Sequence, residues 1–73
     1  MRQRINLVTL TDVKEFCEIV SNIESDVHLI DGEHAFKINA KSILACLLSQ
    51  AEWNETYVVS DEDIYQSISK WAV

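Results

Sequence analysis

Polar and apolar positions alternate at the start of the chain, where Ile5 and Leu7 fall on one side and Asn6 on the other, so residues 4–8 read as a half-buried strand. The period then changes. Val13, Phe16, Cys17, Val20 and Ile23 recur at helical spacing, while Glu15 and Glu18 fall off that stripe. Thr11 or Asp12 opens this helix, with Asp12 and Glu15 as the capping pair, and the helix runs to about Asn22. Alternation returns at Val27 and Leu29, and Asp31-Gly32 is a turn signal. With Phe36 and Ile38 as the inner face of a third strand, residues 26–39 read as a hairpin.

Ser42 then opens a short helix that is apolar nearly all round, with Ile43, Leu44, Leu47 and Leu48. Thr56-Tyr57-Val58-Val59 is a fourth strand. Ser60 with Asp63 resembles a capping pair, and Ile64, Ile68, Trp71 and Ala72 form the stripe of a last helix. The order is strand, helix, strand, strand, helix, strand, helix. It predicts an α+β domain spanning 1–73: an open-faced sandwich with a four-stranded antiparallel sheet and three helices on one face.

Composition narrows the function classes. The 73 residues contain no proline and are 48% hydrophobic, which suits one compact domain. A net charge of −6 argues against nucleic acid as a partner, because that needs a basic face to neutralise phosphates. No apolar run reaches the ~20 residues needed to span a bilayer, and Met-Arg-Gln-Arg-Ile-Asn has no secretory core. The expectation is a cytoplasmic protein with no membrane insertion. Cys17 and Cys46 could form at most one disulfide, and in that compartment they read as buried thiols.

Candidate chemistry is sparse. His28 and His34 have no Cys, Asp or Glu at ligand spacing, so no metal site is expected. A single glycine argues against a phosphate-cradling loop, and no nucleophile–base pair is visible. The reading is of a non-enzyme without cofactors.

One stretch is more specific. Asn39, Lys41, Ser42 and Ile43, followed by an apolar turn, resemble the centre of HPr, the phosphocarrier protein of the bacterial sugar phosphotransferase system. The order of elements is also that of the HPr fold. The resemblance implies that Ser42 is a regulatory phosphorylation site and that Ile43, Leu44, Leu47 and Leu48 dock protein partners. Those partners would be phosphotransferase-system components, a serine kinase or regulators. The family's other motif, Gly-x-His-Ala-Arg-Pro at the first helix, has no counterpart in Val8-Thr9-Leu10-Thr11-Asp12-Val13. A phosphoryl group there would meet the charge of Asp12 where the family offers arginine. The implied protein is thus a regulatory member without histidine phosphocarrier activity. Two alternatives stay open: a phosphocarrier using a displaced histidine, His34 or His28, and a plain adaptor domain with neither chemistry.

Overall fold

The computed structural model describes residues 1–33 and 36–73. The elements run β1 (Arg2–Ile5), α1 (Leu10–Ser21), β2 (Val27–Asp31), β3 (Lys37–Asn39), α2 (Ile43–Glu52), β4 (Thr56–Ser60) and α3 (Tyr65–Ile68), and a 3-10 turn (Ser69–Trp71) prolongs α3. The strands form one antiparallel sheet in the order β1-β4-β2-β3, an open-faced α+β sandwich with its three helices on one side.

Register decides which side is covered. Leu29 stands opposite Val58 and Ile38, and Val27 opposite Ser60. Ile5, Val27, Leu29, Val58 and Ser60 are buried beneath the helices, whereas their neighbours His28, Ile30, Tyr57 and Val59 are half-exposed. Period two along each strand thus sorts the residues into one dry and one wet face. Over the dry face lie Val13, Phe16, Cys17 and Val20 of α1, Cys46 and Ser49 of α2, and Ile64, Ile68 and Trp71 near the C-terminus. Phe16 meets Trp71 edge to face, with ring centroids 5.6 Å apart and planes at 82°. Such a pair adds about 0.5–1.5 kcal/mol beyond area burial.

Several local boundaries differ from those expected. The first strand lies nearer the N-terminus than residues 4–8, because its ladder partner β4 engages Arg2 through Ile5. Leu7 is buried all the same, in the link to α1. Phe36 is exposed and outside the inner face of the third strand, which begins at Lys37. Its carbonyl accepts from the Asp31 N–H at 2.9 Å, while its ring stays in solvent. The hairpin itself forms as expected. Gly32 is needed there because a Cβ would come within 2.8 Å of the Tyr57 ring and 2.9 Å of the Glu55 Cβ.

The last helix is a short turn, and Ser60 does not cap it. The Ser60 hydroxyl accepts from the Glu62 N–H, and Asp63 accepts from the Tyr65 N–H. Ala72 leaves the helical stripe and bridges to Ile5 as extended chain, since the backbone past Trp71 gains partners on the free edge of β1. Ile64, Ile68 and Trp71 are buried as their spacing requires. The indole Nε1 of Trp71 meets no acceptor at hydrogen-bond geometry, although the Asp12 carboxylate is close enough to be influenced by it.

α1 starts earlier than the Asp12–Glu15 pair implies. Thr9 is the N-cap: its hydroxyl accepts from the Asp12 N–H at 3.0 Å. The Asp12 carboxylate accepts in return from Thr9 N–H and Val8 N–H, each at 3.1 Å. Glu15 instead forms an ion pair with Lys70.

The Thr9 N–H, more than any other group, holds the Asp12 carboxyl below its ordinary value of 3.8, against a smaller opposing effect of desolvation. A carboxyl lowered by folding stabilises the fold above its unfolded pKa, and that stabilisation is lost as pH falls through the folded value. Asp12→Ala should therefore melt below wild type at neutral pH, and the gap should close as pH falls below 3.8. Paired thermal melts across that range test this, and a gap that persists in acid contradicts the capping role.

Candidate functional site

The segment from Asn39 to Cys46 is shaped by short-range hydrogen bonds and fastened to the rest of the fold by a few longer ones. The Asn39 side chain accepts from Lys41 N–H at 2.9 Å, and its carbonyl accepts from Ser42 N–H at 3.1 Å. That turn swings the chain off the edge strand and delivers Ser42 to the N-cap of α2 in extended conformation, φ −90° and ψ 119°. The Ser42 carbonyl takes the Cys46 N–H at 3.0 Å, and its hydroxyl accepts from the Ala45 N–H at 3.3 Å. Lys41 fastens the turn to α1. Its ammonium donates to the Ile23 carbonyl at 2.5 Å, just past the C-terminus of α1, where a cation complements the helix dipole. Asn39, Lys41 and Ser42 are thus one mechanical unit.

Beyond this turn α2 presents its leucines outward. Leu44 is 75% exposed, and Ile43 and Leu48 are also exposed, while Leu47 is half-buried against the core. The cause is on the opposite side, where Cys46 and Ser49 are buried. The Ser49 hydroxyl donates to the Cys46 carbonyl at 2.8 Å, so it enters the core satisfied. With the inner positions occupied by small residues, the bulkier ones have nowhere to go but solvent. Trp53, the C-cap residue, packs half-buried against the end of the core.

Two further apolar residues adjoin this face, and the sequence pattern did not single them out. Val8, 66% exposed, and Leu10, also exposed, stand at the start of α1. The Gln50 side chain donates to the Val8 carbonyl at 2.9 Å, tying that end of α1 to the second half of α2. At the other end, the Cys17 thiol donates to the Lys41 carbonyl at 3.4 Å, so the two helices lie antiparallel. Reading Thr9 and Asp12 as the capping box would have marked Leu10 as the first helical residue, on the same side as Lys14 and Cys17. The result is an exposed apolar surface along α2 that begins beside Ser42, with Val8 and Leu10 near its far end, of the kind that marks interaction sites.

The remaining candidates lie elsewhere. His28 is half-exposed on the open face of the sheet, opposite Val59 and Asn39, with the sheet between it and α2. His34 falls outside the described residues. The open face carries two rows, Arg2–Val59–His28–Asn39 and Arg4–Tyr57–Ile30–Lys37, in which no carboxylate appears. The Arg2 guanidinium lies over the Tyr57 ring, 4.3 Å from its centroid. This basic rim is scattered in sequence and emerges only once the register is known.

Among the described residues, no three of His, Cys, Asp and Glu come together as metal ligands, and no helix is long and apolar enough to cross a membrane. One cleft, near Ser49, Trp53 and Asn54, is ≈ 40 Å³, room for a few waters. No known protein family, curated protein or solved structure matches the chain.

Because Ser42 caps α2 through an acceptor oxygen, Ser42→Ala should cost about 1 kcal/mol. Ser42→Asp retains an acceptor at a helix N-terminus and should melt within a few degrees of wild type. Thermal melts of both variants check this. Loss of the fold in Ser42→Asp would mean that the hydroxyl tolerates no charge.

Proposed function

We propose that this chain is a regulatory, protein-binding domain of the HPr type, which docks partner proteins through the outward face of α2 and is phosphorylated on Ser42. The observation carrying this reading is the exposed apolar surface of Ile43, Leu44 and Leu48, with half-buried Leu47, directly after the Ser42 N-cap. Val8 and Leu10 extend it across the start of α1. Partners of the phosphotransferase system, a serine kinase or the regulators it serves would meet this surface in the bacterial cytoplasm.

Phosphate on Ser42 adds roughly two negative charges at a helix N-terminus, which favours them. The same charges lie beside apolar side chains that a partner must strip of water, so the modification alters partner choice while the backbone stays in place. Relay of phosphate through histidine is disfavoured at α1. There Asp12 already takes the N–H groups of Val8 and Thr9, and its charge opposes an incoming phosphoryl group. His28 lies across the sheet from the docking residues.

The test is paired phosphorylation followed by intact mass and peptide mapping. A serine kinase of HPr with ATP should add one phosphate, at Ser42, and none to Ser42→Ala. The general phosphotransferase enzyme with phosphoenolpyruvate should add none. Leu44→Glu should weaken docking to the kinase at least tenfold while leaving the melting temperature nearly unchanged. Phosphate on His28 or His34 would establish the phosphocarrier alternative, and no reaction with either enzyme would leave the plain adaptor.

A further inference from the structure

Both cysteines are free and buried, one on each of the two helices beneath the docking surface. Their sulfurs reach neighbouring backbone groups: Cys46 Sγ donates to the Ala40 carbonyl at 3.1 Å and Cys17 Sγ to the Lys41 carbonyl at 3.4 Å. The two thiols thus meet the carbonyls of consecutive residues, and the Cys17 side chain is close enough to Cys46 to act on it directly. Directly facing residues of packed helices have Cα atoms about 3.5–5.5 Å apart, given axes 8–10 Å apart and a backbone radius near 2.3 Å. A disulfide needs Cα atoms about 4.4–6.8 Å apart, so the two ranges overlap.

We propose that Cys17 and Cys46 form a reversible dithiol–disulfide pair, oxidised by low-molecular-weight disulfides, that crosslinks α1 to α2. The order of attack follows from access. Cys17 is 8% exposed and Cys46 0%. Burial, and after it the neighbouring Cys17 thiol, pushes the Cys46 thiol up to about 12, which disfavours its thiolate as the first nucleophile. Cys17 loses its proton and its sulfur attacks the oxidant's S–S bond, forming a mixed disulfide and expelling one thiolate. Cys46 then loses its proton and attacks the Cys17 sulfur, expelling the second. The protein gives up two electrons and two protons, and the oxidant leaves as two thiols.

Oxidation has a structural consequence at the turn. The Ala40 and Lys41 carbonyls lose their S–H donors when the disulfide forms. Both lie in the turn that sets Ser42 at the head of α2, so the oxidation state of the pair bears on the geometry of that cap. This inference stands without the phosphorylation reading, since it concerns only the thiols and the turn.

Oxidised glutathione is the probe, applied to the folded, reduced protein. Intact mass should show loss of two hydrogens in a species that remains monomeric, fully reversed by dithiothreitol. Cys46→Ser should stop at one glutathione adduct on Cys17, and Cys17→Ser should react at least tenfold more slowly than wild type. Cys→Ala variants at each position guard against misfolding of either serine variant. In the oxidised form, amide exchange of residues 42–46 should change relative to the reduced form. Adducts on both cysteines, crosslinked dimers, or thiols that react only in denaturant would overturn the pairing. Unchanged exchange would overturn its link to the cap.

Discussion

The whole arrangement depends on the insertion of β4 between β1 and β2. Among the described residues β1 pairs with no other strand; its outer edge is bridged by the extended chain at Ala72 and Val73, and Ile5 anchors it in the core. The first strand in sequence is therefore secured by residues from the last quarter of the chain. Pairing over that separation requires a large loop to close before any contact rewards it, so the sheet and the helices over it must assemble together. Leu29 opposite Val58 marks the centre of this closure, and Phe16 against Trp71 closes the layer above. A domain of this size has little apolar surface to spare, and its core is drawn from every element except β3, whose Ile38 packs half-buried at the margin.

The same economy explains the surfaces. Once α1 covers the middle of the sheet, α2 must fit close beside it, and Cys46 and Ser49 are the small side chains that allow the approach. Leu44 and Leu48 are then excess to the core, and their exposure is a consequence of packing as much as of any binding role. What gives the exposed face a functional reading is its setting. The apolar residues of α2 begin beside a serine whose hydroxyl already accepts from a helix amide, and Val8 and Leu10 stand near the other end of that helix. On the far side, register places Arg2, Arg4 and Lys37 in the two rows that contain Tyr57 and His28, while no carboxylate of this acidic chain falls in those rows.

Element order was legible in the residues because period-two and helical stripes remain distinct even in short segments, as Val27–Leu29 and Val13–Val20 illustrate. The start of α1 was not, because Asp12 fits a capping box either as the cap of Glu15 or as the partner of Thr9. Only three-dimensional closure, with Val8 N–H also reaching Asp12, selects the second. Phe36 misled for a related reason: alternation extends past the point where the ladder stops. In α2 an apolar count cannot say which residues face inward, since the helix buries its cysteine and serine and exposes most of its leucines. The Asn39–Ser42 motif was visible as letters, but its role as a set of interlocking turn bonds was not. The thiol pair lies 29 positions apart in sequence, and nothing short of the fold brings it together.

These features converge on one small region. The turn at Ala40 and Lys41 receives two thiols from below, sends the Lys41 ammonium to the end of α1, and hands Ser42 to α2. Each bond is weak by itself, of the order of 1 kcal/mol. Their value lies in mutual dependence, because the turn cannot rotate without losing several at once. A group added at Ser42 therefore meets a preset arrangement of donors: the first-turn amides of α2, left unpaired by the helix itself. The neighbouring Lys41 is already committed to the Ile23 carbonyl, so its charge contributes field without a change of position. Chemistry at this corner is thereby confined to the surface it faces, where the exposed side chains of α2 begin.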